Sequence, residues 1–398
     1  MKKSLIALAA LAATGAFAQS SVTISGAMDL GVVNQKFGNS TSAQNVSTGT
    51  NGASRLRFVG VEDLGGGTKA NFWLEMQPSF QDGTISSSGL FNRGAWAGLS
   101  DAKLGEVRLG RMGTNNVAAV CDIDQQGCYT GAYGGGILFS GQGAPGANYS
   151  ALFAANPTRG GIAQATGLKT AFSTATVASG TSIDDVQASS TGAVNQANAN
   201  KFGADSTRYV RAIRYSLPTL VAGLSLNGTY AYGQTASTGG HTGNTTGFDG
   251  NYVNGPLKIT AAYQKADADV AGGATGELTT YGAIYNLGFA SIGAGIQSEK
   301  ATAGTTALKF TKADAFALTA LFPMGATTPY IKYGERKYSG GTDGNLTTAK
   351  VTNVGVRYAF SKNTYVYADY MQNSAAMLST TTQGSIKDQT NFGLTTNF

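Results

Sequence analysis

The chain has 398 residues, of which 56 are Gly, and only 13% are charged against the ~25% usual for soluble domains. Eighteen Tyr and eighteen Phe argue against disorder, and the scarcity of charge argues against a soluble β-sandwich, which needs a polar outer face. The formal charge of +6 is spread along the sequence, with no basic block interleaved with aromatics, so a nucleic-acid partner is not expected.

Lys2 and Lys3, an apolar run from Leu5 to Ala13, and Ala16-Phe17-Ala18 before Gln19 have the pattern of a cleaved secretory signal. The expected organisation is therefore a signal peptide over 1–18 and one domain over 19–398, with the formal charge falling to +4 once Lys2 and Lys3 are removed. The apolar run is too short for a helical span, and no later stretch reaches the ~18 consecutive apolar residues one requires. Insertion into a membrane must then be as a closed barrel.

The first strand is predicted from Val22 onward, where Val22, Ile24, Met28, Leu30 and Val32 alternate with Thr23, Ser25, Ala27 and Asp29. The same period of two returns at Leu56 and Phe58, at Phe72 and Leu74, at Gly94, Trp96 and Gly98, and at Ile213 and Tyr215. It recurs at Leu224 and Leu226, Ile259, Tyr281, Ile292, Phe316 and Val354. Each segment has about the ten residues that a tilted strand needs to cross a bilayer. Short turns are expected at 62–67, 101–105, 217–222, 254–256, 286–288, 323–325 and 361–363, with longer polar loops such as 38–52 between them. Seven short turns and eight long loops separate sixteen strands, the pattern of a barrel inserted from the periplasm.

The third long loop, about 114–206, stands apart because it is far longer than most connections. Its first half is expected to pack, and its Ser/Thr-rich second half to be mobile. Cys121 and Cys128, close together in an exported chain, are expected to form a small disulfide loop. No His or further Cys lies near them to complete a zinc site, and Asp122-Ile123-Asp124 and Asp249-Gly250-Asn251 lack the acidic completion of a calcium loop. No metal or other cofactor is expected. The one histidine, His241, sits in a Gly/Thr tract without a fixed partner, a poor general base, so an enzyme is not expected either.

Aromatics near segment ends, among them Phe80, Tyr209, Tyr232, Tyr263, Tyr338 and Tyr370, are expected to form interfacial girdles. The C-terminus alternates Phe392, Leu394, Thr396 and Phe398 against Asn391, Gly393, Thr395 and Asn397. It is expected to be the closing strand, paired with the strand at Val22, so that no edge stays exposed.

The run Ser54-Arg55-Leu56-Arg57-Phe58-Val59-Gly60-Val61-Glu62-Asp63-Leu64-Gly65-Gly66-Gly67-Thr68-Lys69-Ala70 closely resembles the second and third strands of beta-proteobacterial and neisserial general porins. Phe91-Asn92-Arg93 with Trp96-Ala97-Gly98-Leu99, the stretch from Gly105 to Arg111, Ile213-Arg214-Tyr215-Ser216 with Pro218, the stretch from Gly355 to Lys362, and Phe398 carry the same resemblance. It implies an all-β, 16-stranded antiparallel transmembrane β-barrel with a long third loop folded into the pore. It further implies a homotrimer in the outer membrane of a Gram-negative bacterium, in contact with lipid and lipopolysaccharide, through which small hydrophilic solutes diffuse passively; the mature charge of +4 and the inward arginines assigned next point to a weak preference for anions. The chain departs from the family in its longer third loop and at Arg57, where a Gly is more usual. A substrate-specific channel and a surface adhesin with a plugged pore are the rival readings.

Alternation assigns the charges. With Leu56 and Phe58 facing lipid, Arg55 and Arg57 face the lumen, since an Arg facing lipid would cost ~2 to 4 kcal/mol near the midplane. The same logic, with Trp96 taken as outward, turns Arg93 inward; with Ile213 and Tyr215 outward it turns Arg214 and Arg208 inward. Arg211 has the wrong parity and is expected at the headgroups or beside a bulge, and Arg111 stands near a strand end, where it could line the pore or serve a subunit interface. Asp122 and Asp124 are the expected loop carboxylates opposite the arginines, which together would set a transverse field and a charge preference.

Overall fold

A computed structural model of the protein describes residues 20–37, 42–85, 90–125, 208–232, 244–267, 275–302, 312–339, 348–373 and 386–398. The chain begins with β1 (Ser21–Phe37), followed by β2 (Ser42–Thr48), β3 (Arg55–Gly65) and β4 (Thr68–Met76). A small hairpin of β5 (Pro78–Ser79) and β6 (Thr84–Ile85) precedes β7 (Gly94–Asp101) and β8 (Gly105–Gly113). Helix α1 (Asn115–Asp124) opens the third long connection, and β9 (Arg208–Ser216) follows that connection. Next come β10 (Leu224–Ala231), β11 (Thr245–Asn254), β12 (Leu257–Asp267), β13 (Thr275–Asn286) and β14 (Ser291–Thr302). The chain finishes with β15 (Lys312–Leu321), β16 (Thr327–Ser339), β17 (Thr348–Ala359), β18 (Thr364–Asn373) and β19 (Ile386–Asn397).

All pairings are between antiparallel neighbours, and β2 and β3 both pair with β1 as the two halves of one stave. The 17 strands of the sheet therefore make sixteen staves. The sheet closes where β19 meets β1, with Ala27 opposite Asn397 and Asp29 opposite Thr395. Gly26 N donates to Phe398 O at 2.8 Å and Phe398 N to Gly26 O at 3.2 Å, which carries the closure to the last residue. No helix of the described residues is long and apolar enough to cross a membrane. The strands do the crossing, because a closed barrel satisfies every backbone donor and acceptor in the hydrocarbon.

Burial is inverted relative to a water-soluble protein. Outward side chains such as Val22, Ile24, Phe248, Tyr281, Ile296 and Phe392 are exposed, whereas Lys332 and Arg336 are each only 2% exposed inside. Turns fall at all seven predicted short connections. At Gly105 the turn requires glycine twice over: φ is +88°, and a Cβ would lie 2.2 Å from Ser216 O, a backbone atom that cannot yield.

The alternation also departs from prediction at named places. Residues 42–48 form β2 against β1, where a loop over 38–52 was expected. Trp96 faces inward, because its partners in the ladder are Trp73 and Gly110 and it packs against the buried cluster of Met112, Tyr209, Ala212 and Ala231. Tyr209 is likewise an inward residue and not part of a girdle; its hydroxyl donates to Gln264 Oε1 at 3.3 Å. The cause is a β-bulge: Gly110 pairs with Ala212 but Met112 with Tyr209, and the extra residue, Arg211, takes a left-handed φ of +53°. Of the expected girdle, Tyr232, Tyr370 and Phe398 are exposed on the outer surface.

Gly105→Ala is expected to lower the heat-unfolding transition of the refolded barrel, since a left-handed residue alone costs roughly 1–2 kcal/mol and the clash adds to it. Gly288→Ala, with φ +85° but open space around it, should cost less. Equal transitions for the two variants would contradict this account of the turn.

Candidate functional site

The lumen wall is built from the inward half of each strand, and helix α1 lies against part of it. Thr114 caps the helix by accepting from Val117 N at 3.3 Å, and Gln125 ends it in the left-handed region at φ 59°. Val117, Ala119, Val120 and Ile123 are buried between the helix and the inner faces of β11 to β15. Ile123 fits only because Gly282 has no side chain: a Cβ there would lie 2.3 Å from Ile123 Cγ1. Asn116 accepts from Thr280 Oγ1 and, at 3.1 Å, from Gln297 Nε2, while Thr319 Oγ1 donates to Ile123 O at 2.9 Å.

Two ion pairs complete this seat. Asp122 Oδ1 meets Lys258 Nζ and Asp124 Oδ1 meets Lys332 Nζ, each at 2.5 Å. The Asp124–Lys332 pair is buried on both sides, at 5% and 2% side-chain exposure. Asp122 and Asp124 thus face wall lysines, and the arginines of β3 to β9 lie elsewhere on the wall. Their charges are matched locally, so they tie the helix to the wall and add little to a transverse field. Cys121 lies on α1 and is not a free thiol, whereas Cys128, His241, the signal segment and the rest of the third connection lie outside the described residues.

A second arc, β3 to β10, carries most of the predicted arginines. Glu75 is 5% exposed and bridges two of them: Arg57 Nε reaches Oε2 at 2.8 Å and Arg93 Nε reaches Oε1 at 2.6 Å. Arg93 arrives there because it precedes β7, where strand alternation does not apply; had it followed the face opposite Trp96 it would point outward. Arg93 Nη1 also donates to Gln77 Oε1 at 2.9 Å. Arg55 shares the inward face with Arg57, opposite Ala27. Arg214 pairs with Asp249, which also accepts from Asn227 Nδ2 at 2.7 Å and from Asn115 of the helix.

The two tryptophans of the chain join this arc into one stack. The Arg57 guanidinium lies 4.2 Å from the Trp73 ring, Trp73 and Trp96 stack with centroids 6.2 Å apart at 9°, and the Arg108 guanidinium lies 4.4 Å from the Trp96 ring. Each cation over an indole gains ~0.5 to 2 kcal/mol depending on its exposure. Arg108 also pairs with Glu106 at 2.5 Å. The stack runs across four adjacent staves and holds two guanidinium groups fixed against the wall.

Arg111 and Arg208 do not join it. Arg111 lies opposite Ala95, on the outward face, and its Nε donates to Asn92 O at 2.6 Å. Arg208 lies just before the bulge at Arg211, which moves Tyr209 onto the inner face in its place, and its Nε donates to Arg93 O. Both brace the rim before β7. Sequence reasoning missed Glu75, Trp73, Trp96, Arg108, Lys258 and Lys332. Correct alternation from Arg57 and Ile331 would have turned Glu75 and Lys332 inward, but the stack depends on which residues of neighbouring strands come level. Among the described residues no group of three or more His, Cys, Asp or Glu could hold a metal.

Lys332→Met should cost about 3–5 kcal/mol, because it strands Asp124 as a buried unpaired charge, and adding Asp124→Leu should restore most of that stability. Thermal unfolding of the two single variants and the double variant checks this; simple additivity of the two losses would contradict the pairing.

Comparison with known proteins agrees with this architecture. The family model described as Gram-negative porin matches residues 4–376. The chain is 51% identical over 116 residues to outer membrane porin protein 32 of Delftia acidovorans, a match covering 28% of this chain and 32% of that protein. It is 40% identical over 117 residues to the major outer membrane protein P.IB of Neisseria meningitidis serogroup B, covering 28% of this chain and 34% of the relative. These alignments thus span about a third of each relative's length. Among solved structures, the anion-selective porin from Comamonas acidovorans superposes with a TM-score of 0.66 over 96% of this chain and 100% of that one, at 23% identity, a likeness of fold. With the family model matching residues 4–376 of the chain and the closed sixteen-stave barrel in place, the chain belongs to the Gram-negative porin family.

Proposed function

We propose that the protein is a passive diffusion channel of the outer membrane, a homotrimer whose barrels pass small hydrophilic solutes and ions with a weak preference for anions. The observation that carries the preference is the Arg57–Trp73–Trp96–Arg108 stack, flanked by Arg55 and Arg214, on an arc beside the strands β11 to β15 against which α1 packs. Glu75, Glu106 and Asp249 offset part of that charge but leave the arc net positive. On the α1 side, Asp122 with Lys258, Asp124 with Lys332 and Glu299 with Arg336 balance one another.

The solved porin of similar fold described as anion-selective supports the sign of this preference. The trimer and the contact with lipid and lipopolysaccharide carry over from the family likeness, and the apolar outer band fits the lipid. Residues 1–18 act as the export signal in this reading, the third connection over about 114–206 narrows the lumen, and Cys121 with Cys128 closes its first turn as a disulfide.

In a planar bilayer under a KCl gradient, the purified protein should open in steps of three with a chloride-favouring reversal potential. Arg57→Ser with Arg108→Ser should move that potential toward the potassium side. The preference should also weaken from 0.1 M to 1 M salt, as the screening length falls from ~10 Å to ~3 Å. A double variant with the reversal potential of the unaltered protein would remove the stack from the mechanism.

A further inference from the structure

The outer face of β13 to β16 changes character over one step of the ladder. Tyr281, Ile296 and Phe316 stand level across three strands. The next outward residues toward the long connections are Thr279, Ser298 and Asp314, level with Lys337, and beyond them come Glu277, Lys300 and Lys312. A groove of about 580 Å³ follows this boundary, lined by Ile296 and Phe316 as well as by Lys300 and Lys337.

Two of the groove's acids are already engaged. Asp314 pairs with Lys312 at 2.6 Å and accepts from the Ser298 hydroxyl at 2.9 Å. Glu335 pairs with Lys350 at 2.8 Å and accepts from the Tyr333 hydroxyl. Among the described residues neither Lys300 nor Lys337 makes an ion pair, although Glu277 lies level with Lys300 and Asp314 with Lys337. Both lysines are exposed, at the end of the wall that carries the long connections, which faces away from the cell in a barrel inserted from the periplasm.

At Thr279 and Tyr281 the groove meets a larger trough of about 860 Å³ on β10 to β13. Leu226, Phe248, Ile259 and Ala261 line this trough, and all four face outward. Glycines bring its bottom down to the sheet: Leu226 leans over Gly250, where a Cβ would lie 2.7 Å from Leu226 Cδ2, and the Phe248 ring lies along Gly228. A cationic groove at the boundary that opens into an apolar trough within the band has the shape of one amphiphile. Boundary lysines ordinarily reach for headgroups one by one. Here two without an ion pair share one groove with a place for a chain beside it, and their unmatched charge suits an anionic lipid better than a second copy of this wall.

We propose that the outer face of β10 to β16 binds one phosphate-bearing lipid of the outer leaflet, with its phosphate between Lys300 and Lys337 and an acyl chain against Ala261, Gly250 and Leu226. The proposal rests on the lipid contact in the reading above and gives that contact a place.

The protein is purified in detergent, stripped of lipid and checked for folding by heat-modifiable migration. Diphosphorylated lipid A, or the same lipid without its phosphates, is added, and bound lipid is counted by native mass spectrometry. The site predicts one phosphorylated lipid per protomer. Lys300→Gln with Lys337→Gln should weaken its retention roughly tenfold, as expected when charge-assisted bonds to one phosphate are lost. Ala261→Phe, which fills the trough, should weaken retention of both lipids. Lys36→Gln with Arg211→Gln removes two exposed cations from β1 and β9 and should leave retention unchanged. Equal weakening by the two double variants, or equal retention of the lipid with and without phosphates, overturns the proposal. So does association of the lipid-free protein into larger particles that Ala261→Phe abolishes, which would give the trough to a second copy. The lysine variants decide the matter if Ala261→Phe fails to fold. Retention is read without current: a silent protein that keeps the lipid removes the channel reading alone, and a conducting protein without it removes the lipid site alone.

Discussion

In hydrocarbon, a backbone amide or carbonyl without a partner costs several kcal/mol, and from that constraint the rest of this structure follows. It forces the strands into one closed antiparallel ring, sealed where Asp29 lies opposite Thr395 and Gly26 exchanges hydrogen bonds with Phe398. Closure makes the two faces of every strand unequal. One must be apolar against lipid, so nearly all of the polar chemistry within the membrane is driven inward, where Lys332 is buried with Asp124, Arg336 with Glu299, and Glu75 with Arg93.

Crowding charge into a lumen creates a second problem, because a buried ion pair does not stabilise much unless its geometry is good and its other hydrogen bonds are met. The wall meets this differently along its circumference. Under α1 the charges are matched one to one and the helix is pinned in place. Near the seam, Asp29 is held by amides and hydroxyls of residues 49–54 and the facing strands, with no salt bridge among the described residues. On β3 to β10, arginines outnumber the acids, and stacking on Trp73 and Trp96 holds two of them in position.

The strands, the seven short turns and the closing pair were legible because each depends on a local pattern: alternation, turn residues and the apolar face. The inward set of Arg55, Arg57 and Arg214 followed from the same rule. The rule failed where the period slips. One extra residue at Arg211 exchanges Arg208 for Tyr209 on the inner face, and no residue type announces a bulge there. Trp96 misled because a large apolar ring was assigned to lipid, whereas its place is set by register with Trp73 on the neighbouring strand. Residues 49–54 are polar and Gly-rich and have the composition of an outer loop. Only the count of residues opposite Met28 and Asp29 shows that they turn inward. The ion pairs of Asp122 and Asp124 join residues more than a hundred positions apart, beyond the reach of any local pattern.

The central claim is that the arc of β3 to β10 faces the permeation path while the arc of β11 to β15 is covered by α1. Cysteine accessibility tests it directly, since the described residues hold no free cysteine to compete. A single cysteine is placed at Ser100 on the first arc or at Thr280 beneath Asn116 on the second, and an anionic thiol reagent is applied during current recording. The account predicts rapid modification and loss of current at Ser100 and protection at Thr280. Equal reactivity at the two positions, or the reverse order, would contradict it.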